Sequence, residues 1–294
     1  MTRKSLPLLF AAILLSTALL AQEKELGPMH PKTPKVPSEI TFAGETIRFD
    51  RYDMYERMDK ELIAFTFMHT NSTLMLRRSR RYFSIVEPIL KENGIPDDLK
   101  YLMAIESNLD PKALSRAGAA GLWQFMKATA QQYGLEVNGE IDERYHPEKE
   151  TRAACKFLKE AYKKFGNWMT VAAGYNAGQG GIAGRLEAQG QDNALNLYLP
   201  DETSRYMFRL LTAKMFFEDP ESFGFEIQEG DLYPPLKAKK TIKVTGAVDW
   251  VDFAKKNGTS YYLLREANTW IRDDELTNKA GKTYYVVIPE EKLR

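Results

Sequence analysis

The 294-residue chain is 44% hydrophobic and carries a formal net charge of +1. That length and apolar content suffice for one large domain or two smaller ones, while the near-neutral balance gives no support for a nucleic-acid partner beyond local basic patches. With Cys155 as the sole cysteine, no intramolecular disulfide forms, and its place at the edge of a helical apolar stripe reads as a packed thiol.

At the N-terminus, Arg3 and Lys4 precede an apolar run from Leu6 to Leu20 that ends at Ala21 before QEKE. This order predicts a secretory signal peptide over residues 1–21. The run is shorter than the roughly 20 residues of a spanning helix, so an uncleaved anchor is the lesser alternative. No cysteine near the cleavage region offers itself for lipid attachment. The expected location is the periplasm or cell envelope, with association at a membrane or cell-wall surface left open. Residues 22–45 are polar and proline-spaced (GPMHPKTPKVPSE) and predict an extended linker.

Helical patterns follow. One run is expected over 47–70 and a second over 74–93, with Tyr82, Ile85, Val86, Ile89 and Leu90 on its apolar side and Gly94 at its end. Its basic quartet Arg77, Arg78, Arg80 and Arg81 reads as a solvated helix face, with an anionic polymer or lipid surface as the alternative. Pro96, Asp97 and Asp98 open the next helix. Leu99, Leu102 and Met103 recur there at helical spacing, and Glu106 follows on the same face before Asn108 and Asp110-Pro111 end the helix. A carboxylate on an apolar face at a helix end suits a general acid with an elevated pKa. It also suits a structural carboxylate that caps a neighbouring loop or pairs with an arginine such as Arg116, and on spacing alone that structural role is favoured.

The run AGLWQFMKATAQQYGL is expected to form another helix, closed by Gly134. Residues 151–165 carry the clearest stripe, with Ala154, Phe157, Leu158, Ala161, Tyr162 and Phe165 on one face. Trp168, Val171, Ala172 and Tyr175 mark a short helix that breaks at NAGQGGIAG, and residues 203–218 form the last helix of this region. The composition then shifts: residues 226–240 resemble a linker, and 241–291 read as strand, helix, helix, strand. The chain is therefore expected to be mainly α over 46–225, with a small α+β domain at 241–291.

Several chemistries find no support. The chain lacks H-E-x-x-H, its His30, His69 and His146 are scattered, and no G-x-S-x-G is present, so neither a metal nor another cofactor is implied. The AGKT at 280–283 imitates a phosphate loop, but Leu276 stands where Gly is required and a strand-like run follows, so it reads as a turn. Tyr and Trp residues can stack on sugars, although most are expected in the core.

In order and spacing, ESNLDPKALS, GAAGLWQF, AAGYNAGQGGI and LPDETSRYMFRLL resemble the motifs of lytic transglycosylases of the goose-type lysozyme superfamily, in particular the membrane-bound D type, whose members often add LysM modules. The resemblance runs from about Arg78 to Leu211 and implies a lysozyme-like (SLT) domain with core motifs in 95–215. It implies Glu106 as the catalytic acid, with Ser107 and Met126 supporting it. Ser115 would lie near the reacting sugar, and Gln124 would hydrogen-bond substrate. Tyr175 and Asn176 match an AYN motif in which Gly174 replaces Ala, and Trp123 replaces a frequent Met. Tyr206 would reach back toward the acid.

The implied substrate is the peptidoglycan glycan strand, cleaved between N-acetylmuramic acid and N-acetylglucosamine with closure of a 1,6-anhydro ring. No second acid is clearly placed in the motifs, as a two-carboxylate hydrolase would need; Asp110 reads as shaping the turn before Pro111. A goose-type muramidase and an inactive wall-binding protein remain alternatives. The C-terminal VDFAKKNGTSYYLLREAN and LTNKAGKTYYVVIP resemble a LysM module, but GAVDWVDFA stands where GDTLWSIA is usual, which leaves glycan binding and plain packing both open. Oligomeric state is not specified.

Overall fold

The computed structural model describes residues 33–292, so the expected signal peptide and the first part of the expected linker lie outside the described residues. The remainder of that linker is not extended. β1 (Glu39–Phe42) and β2 (Glu45–Arg48) form an antiparallel hairpin in which Ile40 faces Ile47. Ala43 and Gly44 take the two left-handed positions that a tight two-residue turn requires, at φ 51° and 84°. Phe42 and Ile47 point into the core, and the Glu45 carboxylate accepts the Trp168 N–H at 2.9 Å.

The expected helix over 47–70 accordingly starts later, as α1 (Tyr52–Phe67). After a break at Met68, α2 (His69–Glu92) runs to Asn93. Its basic quartet stays partly solvated but is also engaged by the chain itself. Arg77 pairs with Asp231, Arg80 with Glu229 at 2.5 Å, and Arg81 donates to the Pro234 carbonyl at 2.9 Å while lying over the Tyr233 ring. The acidic stretch 229–231, read as linker, is thereby fastened along α2.

A single 3-10 turn at Asp97–Leu99 leads into α3 (Lys100–Ser107), which ends where Asn108 adopts left-handed geometry at φ 51°. The predicted long helix from Ala120 does not form. Ala120 bridges Phe125, and Gly121 and Gln124 have φ of 83° and 50°, conformations no α-helix tolerates; only α4 (Lys127–Gln132) is helical. The strongest stripe gives α5 (Pro147–Phe165), with Ala154, Leu158 and Ala161 buried and Gly166 closing it at φ 72°. Cys155 is buried on this helix, its thiol pushed up to about 11 by burial, which leaves it unreactive.

α6 (Trp168–Ala177) is capped by the Asn167 side chain accepting the Thr170 N–H, and α7 (Gln179–Gln189) follows. α8 (Asp201–Glu218) packs against α1, α3 and α6 and so forms the spine of the helical domain. Beside it Phe216 meets Phe65, Phe223 and Phe225 edge to face.

The C-terminal domain is strand, helix, helix, strand as read: β3 (Ala238–Val244), α9 (Trp250–Lys256), α10 (Tyr261–Ala267) and a final strand, with a two-residue pair inserted between. That pair is β4 (Val248–Asp249) with β5 (Glu275–Leu276), and β6 (Tyr284–Pro289) lies antiparallel to β3. The turn spans 278–281, with the Gly281 N–H donating to the Asn278 carbonyl at 3.0 Å and Gly281 at φ 61°, so the AGKT stretch begins within a turn and leads into β6. Trp250, Leu264, Ile271, Leu276, Val286 and Ile288 fill this second core, joined by Ile141 from the helical domain. Among the described residues, no helix is long and apolar enough to cross a membrane.

Candidate active site

The end of α3 is fixed from outside. Arg78 on α2 donates to the Asn108 carbonyl and to Asp110 Oδ2, both at 3.1 Å. Asp110 Oδ1 in turn accepts the Lys112 N–H at 2.9 Å, so this acid shapes the turn before Pro111. Ser107 is buried with its hydroxyl on the Met103 carbonyl. Glu106 thus leaves a helix whose last turn is held on both sides.

Glu106 does not pair with Arg116, which is exposed. Its partner is Tyr206, buried on α8, whose hydroxyl donates to Glu106 Oε1 at 2.5 Å. The Glu106 carboxyl is pushed up to about 7, chiefly by burial. The Tyr206 hydrogen bond and the Arg209 charge oppose that rise, whereas the charge of Glu202 adds to it. The residue keeps partial solvent exposure, so a dry carboxyl that holds its proton near neutrality remains reachable from outside.

Tyr175 on α6 is close enough to Glu106 and Glu150 for their charges, after burial itself, to oppose its ionisation. Its hydroxyl donates to the Trp123 carbonyl at 2.6 Å, and its ring lies against Phe125 and Phe157. The expected substrate-binding tyrosine therefore anchors the 121–125 turn. Neighbouring Asn176 is half-buried, and its side chain makes no hydrogen bond with the described residues.

Trp123 is wholly buried, its indole N–H donating to Thr151 Oγ1 at 3.0 Å. Gln124 spends its amide NH2 on the carbonyls of Gly121 and Ala113, at 2.8 and 3.2 Å, which leaves its amide oxygen as the group able to meet a ligand. Ser115 Oγ accepts the Ala119 N–H at 3.0 Å and closes the adjoining turn, with its own proton uncommitted. Met126 is 45% exposed at the start of α4. Hydrogen bonds thus join Glu106 to Tyr206 and Tyr175 to the turn bearing Gln124, while Asn176 and Met126 stand outside them.

Sequence reading missed two carboxylates. Glu150, fully buried on α5, accepts the N–H groups of Leu122 and Trp123 at 3.2 and 3.1 Å, and burial raises its pKa well above the carboxylate range. It falls four residues before Ala154 on the α5 stripe, the same spacing signal that singled out Glu106. Enclosed as it is, Glu150 cannot reach a sugar. Glu202 is exposed in the first turn of α8, four residues before Tyr206 and on its face. Among the described residues no group of three or more His, Cys, Asp or Glu side chains is arranged to hold a metal. Two grooves of about 390 and 440 Å³ lie along the seam with the C-terminal domain and share no residue with the Glu106 cluster.

Residues 84–197 match the Transglycosylase SLT domain, and residues 240–292 match the soluble lytic transglycosylase C-terminal LysM-like domain. The chain thus carries an SLT transglycosylase domain of lysozyme-like fold followed by a LysM-like domain. Membrane-bound lytic murein transglycosylase D of Escherichia coli (strain K12) is 27% identical over 219 residues, covering 73% of this chain and 47% of that protein. Peptidoglycan transglycosylase gp16 of Escherichia phage T7 is 35% identical over 134 residues, covering 44% of this chain and 10% of that one. The chain therefore spans about half the length of the first relative. The 70 kDa soluble lytic transglycosylase Slt70 from Escherichia coli superposes with a TM-score of 0.43 at 18% identity, over 60% of this chain and 33% of that one.

Proposed function

We propose that this chain is a peptidoglycan lytic transglycosylase that cleaves the β-1,4 bond between N-acetylmuramic acid and N-acetylglucosamine and leaves a 1,6-anhydro end. The observation that carries the reading is Glu106: a carboxyl raised to about 7, bonded by Tyr206, within the matched SLT region. A group titrating near neutrality can give a proton in one step and take one back in the next.

Glu106 protonates the glycosidic oxygen, and the C1–O bond breaks with its electron pair on the leaving sugar. The substrate's N-acetyl group, or an ion pair, stabilises the cationic centre. As the carboxylate forms, the Tyr206 hydroxyl already points at Oε1 and stabilises the new charge. Glu106 then removes the proton from the sugar's own 6-hydroxyl, whose oxygen closes the ring on C1. No water is consumed. Gln124, Ser115 and Asn176 supply polar groups for the glycan, and Tyr175 holds the Gln124 turn in register.

Under this reading residues 1–21 direct export, residues 46–225 form the catalytic domain, and 241–291 form the LysM-like domain. The site of action is the cell envelope, consistent with the relatives that carry the match. One observation favours a second reading: Glu202 is a second carboxylate electrostatically coupled to Glu106, as a water-using muramidase would employ. Mass spectrometry of the fragments released from purified peptidoglycan separates the two. Fragments one water lighter than reducing-end species, and absent with Glu106→Gln, are expected. Reducing-end fragments would establish the hydrolase, and none from the unmutated chain would leave a wall-binding protein.

A further inference from the structure

The seam between the two domains is built like the interior of one domain. Residues 136–143 fold into a small hairpin, with Asn138 Oδ1 accepting the N–H groups of Glu140 and Ile141, both at 2.8 Å. Its tip adds to the LysM-like domain as a strand would: Ile141 bridges Ile271, Asp142 N–H donates to the Trp270 carbonyl at 2.9 Å, and Arg272 N–H donates to the Glu140 carbonyl at 2.8 Å. The Glu140 carboxylate accepts the Thr277 N–H and hydroxyl at 2.9 and 2.6 Å, and the Thr269 hydroxyl donates to the Tyr145 carbonyl at 2.5 Å. Ile141 itself is 1% exposed, a side chain of the catalytic domain in the core of its neighbour. A module carried on a free tether has no need of such an insertion.

The same segment reaches the Gln124 turn from its other side. Asp142 and Arg144, both buried, form a two-point pair, and Arg144 Nη1 donates to the carbonyls of Gly118 and Phe125 at 2.8 and 3.1 Å. Those carbonyls end the two turns that carry Ser115 and Gln124. Arginine's rigid fork serves the carboxylate and both carbonyls at once, which a lysine ammonium on a flexible stem does not. From the LysM-like core to the turn there are three steps: Ile271 to Ile141, Asp142 to Arg144, and Arg144 to Phe125.

Resting on the transglycosylase reading, we propose that the docked LysM-like domain is part of the catalytic apparatus, and that Arg144 is the positioning residue through which it sets the Ser115 and Gln124 turns. The test compares the unmutated full chain with Ile141→Asp, which undocks the C-terminal domain and leaves it attached, and with Arg144→Lys, which keeps the charge beside Asp142. Activity is read on short soluble glycan fragments, for which targeting to the wall is irrelevant, and hydrogen exchange is read over residues 113–126.

A reacting group displaced by about 1 Å costs on the order of 100-fold. Both variants are therefore expected to lose roughly 10- to 100-fold in kcat/KM on soluble fragments, to exchange faster over 113–126, and to keep the alkaline limb set by Glu106. Thermal unfolding of each variant checks that the helical domain stays folded. Unchanged kcat/KM and exchange in both variants would overturn the proposal, and so would loss in Ile141→Asp with Arg144→Lys unaffected. If the unmutated chain releases no fragments, the transglycosylase reading fails and the exchange measurement alone decides whether the domain holds the turns.

Discussion

Glu106→Gln should abolish turnover and at the same time stabilise the folded chain at neutral and alkaline pH. The folded protein keeps a proton on Glu106 up to about pH 7, whereas the unfolded chain releases it near the ordinary 4.5. A raised carboxyl of this kind costs nothing below pH 4.5; stability falls as pH rises from there through about 7, then levels off. At about 1.4 kcal/mol per pH unit the full effect is bounded at roughly 3 kcal/mol. Because solvent reaches part of the side chain, about 1–2 kcal/mol is the better expectation. Glutamine carries no charge to desolvate, and its oxygen can still accept the Tyr206 hydroxyl. Urea unfolding of both proteins at pH 4.5 and pH 8 measures the difference directly, with Glu106→Gln near parity at the lower pH and ahead at the higher. Parallel stability curves across that range would refute the claim that Glu106 is buried with an elevated pKa.

The neighbours of Glu106 move its titration in opposite senses. Glu202→Gln removes a charge that raises it, so the alkaline limb of the pH–rate profile should shift toward lower pH, whereas Tyr206→Phe removes a hydrogen bond that lowers it and should shift the limb upward; limbs that stay fixed would dissociate these residues from the acid. Gly121→Ala tests the turn: a Cβ there would lie 1.7 Å from the Arg144 carbonyl oxygen and 2.5 Å from Glu150 Oε2, at a backbone φ of 83°. A loss of roughly 3–4 kcal/mol in thermal or urea unfolding is expected, and a loss below about 1 kcal/mol would mean that the turn relaxes freely.

What could be read from the residues is uneven, and the unevenness has physical causes. Helices with a continuous apolar stripe, α2, α5 and α8, were legible because 3.6-residue periodicity is a local property. The α3 end was legible for the same reason, with Asn108 and Asp110 as stop signals. The β1–β2 hairpin was not: four-residue strands carry too few alternations, and Ala43-Gly44 lacks the Asn-Gly or Asp-Gly mark of a tight turn. The 120–126 segment was misread as helix because its apolar residues have helical spacing, while its conformation is dictated from afar by Glu150, Arg144 and Tyr175. Tyr175 was expected to bind substrate, and its bond to the Trp123 carbonyl spans 52 positions, which no local pattern encodes.

Backbone strain points to the same place without reference to any motif. Of the five non-glycine positions at positive φ among the described residues, three are Asn108 and Leu109, which follow Glu106 at the end of α3, and Gln124, in the turn that Tyr175 anchors. Such conformations cost about 1 kcal/mol or more each and persist where surrounding contacts over-determine them. Those contacts are present: Arg78 grips the Asn108 carbonyl, Leu109 is fully buried, and Gln124 is tied by its own amide to Gly121 and Ala113. Elsewhere the helical domain follows local rules closely, with Asn167 as an N-cap and glycines ending α5 and α7. A fold that departs from those rules mainly at the end of the Glu106 helix and in the turn that Tyr175 anchors is holding both in a geometry the isolated segments would not adopt. That is what a single acid must have if it is to give a proton to one oxygen and retrieve one from another.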